Sequence, residues 1–93
     1  MAFLIASQPG PAEMPLPMQE NMLRDQVEIA HLDALISGAE YQIQRQREVV
    51  TQLRSSGEPA DDAEKTLEVM IGIVERLRRY RAVIRRLSTR RLH

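Results

Sequence analysis

Between residues 55 and 62 the chain reads Ser-Ser-Gly-Glu-Pro-Ala-Asp-Asp, and long stretches on either side carry apolar residues at helical spacing. A continuous helix through Gly57 and Pro59 is disfavoured twice over. Glycine is the residue that most easily takes the left-handed conformation ending a helix, and proline lacks the donor needed to continue one. Proline does fit the first turn of a new helix. Asp61, with Glu64 three residues on, has the form of a capping box with Asp in place of Ser or Thr. Asp61, Asp62 and Glu64 also match the positive end of a helix dipole. The stretch therefore reads as the bend of a helical hairpin. Helix one is expected over about 18–55, the turn over 56–60, and helix two over about 61–90.

The first flank steps by four and three through Met18, Met22, Ile29, Leu32, Ile36, Ala39, Ile43, Val50 and Leu53. Met22, Ile29, Ile36, Ile43 and Val50 hold one heptad position, and Asp25 and Gln46 are polar exceptions at the other. A seven-residue repeat sustained this long favours coiled-coil-like packing. Asp25 is expected to mark fraying near the helix start, and Gln46 either to fix register or to sit at a loose rim. The second flank continues through Ala63, Leu67, Met70, Val74 and Leu77 to Arg81 and Ile84. A second line, Ile73, Leu77, Tyr80, Ile84 and Leu87, overlaps it, giving a stripe broad enough to contact more than one neighbour.

Folding at the bend sets Leu53 against Leu67, Gln46 against Val74, Ile43 against Leu77 and Ile36 against Ile84, with Ala39 facing Tyr80 or Arg81. The same register lays the basic end of helix two beside Glu20, Asp25, Glu28, Asp33 and Glu40. Residues 76–93 hold eight arginines and no acid, a net of +8, while the remaining residues carry five bases and thirteen acids, a net of −8. Twelve of the thirteen basic residues are arginine, a bias that a GC-rich bacterial genome would itself produce.

Ninety-three residues allow one small domain, and small domains often need reinforcement from disulfides, metals or oligomerisation. There is no cysteine, which leaves oligomerisation as the expected reinforcement. Pro9, Gly10, Pro11, Pro15 and Pro17 make residues 1–17 read as a disordered or polyproline-like arm. The start Met1-Ala-Phe-Leu-Ile-Ala6 has an apolar run of five residues with no basic group before it, too short for a signal-peptide core or a membrane span, so a cytoplasmic setting without membrane partners is expected.

From Ile43 through Arg45-Gln46-Arg47, Val49-Val50 and Leu53 to Gly57 and Ala63, the chain resembles small alphaproteobacterial helical-hairpin proteins. Their members read I-x-R-Q-R-x-h-h-x-x-L-x-x-x-G, where h is aliphatic. The likeness covers about residues 35–87, including Leu67, Met70 and Tyr80-Arg81, where relatives often carry His-Arg. It departs at Ala39, where relatives tend to have Gly (Gly38 stands one place early here), and at Leu35, where they tend to have His. The resemblance implies a hairpin fold and a bacterial cytoplasmic setting. It brings no catalytic residue, cofactor or substrate.

Chemistry is sparse in the rest of the sequence. His31 and His93 form no metal-binding pattern, and Ser37, Ser55, Ser56 and Thr89 have no base placed to activate them. Gly38 and Gly72 are isolated in helical stretches and mark either a close helix approach or a kink. No catalytic residue, metal or cofactor is expected. The expected architecture is an all-α antiparallel two-helix hairpin, self-associating into a bundle. The expected function is that of a non-enzymatic interaction or oligomerisation module. Ile71, Ile73, Tyr80 and Leu87 are the candidate interface, contacting a second copy or another helical protein. Arg78, Arg79, Arg85, Arg86 and Arg90 are candidate contacts for a charged partner. The competing reading is a nucleic-acid-binding accessory protein using the same arginines, although they spread round the helix and only Tyr80 offers an aromatic platform.

Overall fold

The computed structural model describes residues 15–91, with side chains up to Arg90, and is an all-α antiparallel hairpin. Most of the proline-rich arm expected over 1–17 lies outside the described residues. Helix α1 spans Leu16–Ser55 and helix α2 spans Asp61–Arg91. The helical stretch thus opens earlier than Met18, with Leu16 and Pro17 in its first turn. Pro17 is accommodated there because a first-turn N–H has no intrahelical partner to lose. The N–H groups of Met18 and Gln19 both bond to Pro15 O, at 3.0 and 3.1 Å.

The bend is closed by backbone geometry. Gly57 takes φ 76°, the glycine N–H bonds to Arg54 O at 3.2 Å, and Glu58 N–H bonds to Leu53 O at 2.9 Å. This nested pair of bonds is the Schellman motif, which caps orphan carbonyls and needs a residue tolerant of left-handed φ at its centre. The Ser56 hydroxyl adds bonds to the Gln52 and Leu53 carbonyls.

The start of α2 departs from the capping box expected at Asp61. Glu64 N–H bonds to Ala60 O at 2.9 Å, so Ala60 is the residue before the first turn and Asp61 already lies within it. Pro59 accordingly precedes the helix instead of opening it. The Glu64 carboxylate turns across the bend and accepts from Arg54 Nε at 3.1 Å and Arg54 Nη2 at 2.5 Å. Ala60 itself is buried, closing the bottom of the core. The acidic first turn remains, and Asp61, Asp62 and Glu64 supply the charge that favours it.

The core is a single seam. Leu32, Ile36, Ile43 and Val50 from α1 are buried, as are Ala60, Val74 and Ile84 from the bend and α2. Ala39, Leu67, Met70, Ile71 and Leu77 pack around the cluster Ile36–Ile43–Val74. The ion pairs set the alignment: Arg78 meets Glu40 and Arg85 meets Asp33, where the sequence register opposed these arginines to Gln42 and Leu35. Ala39 joins the core cluster while Tyr80 stays exposed. Gln46 also departs from its expected place opposite Val74. Its Nε2 donates to Ala63 O at 3.0 Å, making it a satisfied polar crosslink near the bend.

The described residues form an elongated hairpin, since the 40 residues of α1 run about 60 Å at 1.5 Å per residue. Neither isolated helix glycine marks a close approach, since a Cβ built on Gly38 or Gly72 meets nothing within 4 Å.

The glycines give a paired prediction for urea unfolding at fixed protein concentration. Gly72→Ala should raise stability by about 1 kcal/mol, the helix-propensity difference. Gly57→Ala should lower it by about 1 kcal/mol, because the left-handed conformation then carries a Cβ. A Gly57→Ala variant as stable as the parent would show that the bend does not depend on the conformation seen here.

Candidate interaction surface

Two broad faces flank the seam, and they differ in chemistry. On one face α1 presents Asp33, Glu40, Arg47 and Arg54, and α2 presents Glu64, Ile71, Arg78 and Arg85, each series at heptad spacing. Ion pairs bridge the helices along this face. Arg54 pairs with Glu64 at 2.5 Å and Arg78 with Glu40, while Asp33 receives Arg81 at 2.6 Å and Arg85 at 3.7 Å. The Arg81 side chain is the most covered of these cations, at 23 % exposure. It stands at a seam position and sends its guanidinium outward to the acid, as long side chains with charged heads do. Open grooves also run along this face, one bordered by Glu40, Arg47, Ile71 and Arg78 and another by Arg47, Arg54 and Glu64.

The opposite face holds the same positions on the other side of the seam. From α1 these are Leu35, Gln42 and Val49; from α2 they are Thr66, Ile73, Tyr80 and Leu87. Leu35, Val49, Ile73, Tyr80 and Leu87 are between 41 % and 51 % exposed, and Val69 and Val83 extend the apolar surface round α2. Tyr41 and Arg45 border it on α1, with the guanidinium 5.9 Å from the ring centroid. One helix cannot cover this surface, because each already spends its seam residues on the other.

The four residues expected as an interface therefore divide. Ile73, Tyr80 and Leu87 lie together on the open apolar face. Ile71 belongs to the charged face and packs against the hairpin's own core, which corrects its reading as surplus surface. Leu35 and Val49 complete the face from α1. Sequence reasoning missed them because they flank the α1 stripe, and only the pairing of the helices shows that they align with Ile73 and Tyr80.

The arginines divide in the same way. Arg78 and Arg85 are engaged by Glu40 and Asp33. Arg79, Arg86 and Arg90 are exposed and make no ion pair among the described residues, and a shallow groove lies between Arg85, Arg86, Thr89 and Arg90. Asp25, expected to mark fraying, is half-buried within α1. His31 is exposed. Among the described residues, no group of three or more His, Cys, Asp or Glu side chains could hold a metal ion, and no buried side-chain polar atom lacks a hydrogen-bond partner. No helix among them is long and apolar enough to cross a membrane.

Comparison with family models, curated proteins and solved structures gives no match to this chain.

The contrast between seam and charged face is measurable. Ile36→Ala removes a side chain at 3 % exposure and should cost about 2–5 kcal/mol. A double-mutant cycle on Arg78 and Glu40, both about half exposed, should give a coupling of no more than about 1 kcal/mol, shrinking as salt is added. A coupling rivalling the Ile36 effect would mean that charge, and not the seam, holds the helices together.

Proposed function

We propose that the chain is a small non-enzymatic interaction module that works by self-association, placing a helical hairpin where an oligomeric bundle is needed. The observation that carries this reading is the open apolar face of Leu35, Val49, Ile73, Tyr80 and Leu87, set opposite a face crossed by ion pairs. Large apolar side chains gathered on one exposed face mark association sites in water-facing proteins. The elongated shape and small core add to it, since the hairpin alone buries few side chains. The resemblance to small alphaproteobacterial helical-hairpin proteins is consistent with a bacterial cytoplasmic location.

A second reading has its own support. Arg79, Arg86 and Arg90, which make no ion pair among the described residues, are free to meet an anionic partner such as nucleic acid. Against it, much of the positive charge on α2 is met by Glu40 and Asp33 within the hairpin.

Sedimentation should find the chain as a dimer or larger at tens of micromolar. Ile73→Asp with Leu87→Asp should reduce it to monomer with its helical circular dichroism retained. A parent chain that stays monomeric at that concentration would sink the self-association reading. Retention on heparin at low salt, lost steeply as salt rises, would support the nucleic-acid reading instead.

A further inference from the structure

Resting on the self-association just proposed, we infer that the occupant of the apolar face is a second copy of the chain lying antiparallel. The bend of each hairpin then sits against the open end of the other, forming a four-helix bundle with its two-fold axis across the middle of α2.

Area supports a full-face contact. An α2 of 31 residues runs about 46 Å at 1.5 Å per residue, and the hairpin is 19 Å wide. The face therefore offers roughly 870 Å² per copy, or roughly 1,700 Å² in all, which is the size of a standard stable interface. The apolar residues are spread along that whole length, from Val49 and Val69 near the bend, through Ile73, to Leu35, Tyr80 and Leu87 towards the open end.

Charge selects the orientation. Residues 41–75, the half nearer the bend, hold seven acids and four bases, a net of −3. Residues 16–40 and 76–91, the open half, hold five acids and nine bases, a net of +4. The ion pairs inside the hairpin leave this lengthwise imbalance intact, because each joins residues of the same half. A parallel pair would set acidic half on acidic half and basic on basic, whereas an antiparallel pair matches each half with its opposite. Complementary surface potentials of this kind fix register and orientation between partners. With the axis near the middle of α2, Val49 and Val69 of one copy meet Leu87 of the other, and Ile73 meets Val83.

The test uses the full chain, which has no native cysteine to interfere. Ser55→Cys puts a single nitroxide label at the exposed end of α1 beside the bend, and pulsed electron resonance reads the distance between labels in the dimer. The antiparallel bundle predicts a separation of ~50 Å, twice the distance from the bend to mid-α2 at 1.5 Å per residue. A separation of about 20–25 Å, two helix diameters, would mean parallel pairing and would overturn this arrangement while leaving self-association standing. No dipolar signal at about 100 µM, together with sedimentation as a monomer, would overturn both and leave the face to a partner of another kind.

Discussion

Two helices share only one seam, and that limit governs most of what this chain does. The seam between α1 and α2 buries Leu32, Ile36, Ile43 and Val50 against Val74 and Ile84, and no other buried cluster exists among the described residues. Every apolar residue off that line is left in water unless something outside the hairpin covers it. On one face the chain fills the flanking positions with acids and arginines that meet across the helices. On the other most of them are apolar, Leu35, Val49, Ile73, Tyr80 and Leu87, with Gln42 and Thr66 among them. The proposed module follows from that asymmetry.

The arginines serve the hairpin before they serve anything else. Asp33 receives two of them and Glu40 a third, so the basic end of α2 and the acidic stretch of α1 hold one another in an antiparallel alignment. Each such pair contributes little alone, since exposed ion pairs are worth about 0–1 kcal/mol. Together they add to the antiparallel alignment that the seam and the bend specify. Near the bend the Arg54–Glu64 pair and the Gln46 amide on Ala63 O act alongside the Schellman turn.

The hairpin was legible in the sequence because the two signals that specify it are local. Seven-residue spacing shows which stripe is buried, and a glycine before a proline shows where the chain reverses. What required the structure was pairing across the bend. Asp61 resembled an N-cap because Glu64 stands three residues on, but the guanidinium of Arg54, ten residues back, competes for that carboxylate and wins. Ile71 looked like spare surface on a helical wheel, and only the placement of Ile36, Ile43 and Val74 shows it half-buried against the core. Leu35 and Val49 lie on the first helix at positions that gain meaning only beside Ile73 and Tyr80. The surface was thus readable one helix at a time, and its two faces were not.

The nested order of the contacts has a mechanical consequence. Arg54 and Glu64 are separated by ten residues, while Asp33 and Arg81 are separated by 48. Each outer contact becomes cheap to close once the inner ones exist, because the remaining loop is short. The molecule is therefore a zipper with its slider at Gly57. Load applied to the open ends of the two helices would part the pairs one after another, beginning at Arg85 and Asp33, instead of shearing the whole seam at once. A lone hairpin of this kind yields easily when its ends are pulled apart, whereas contacts along the apolar face would have to slide together.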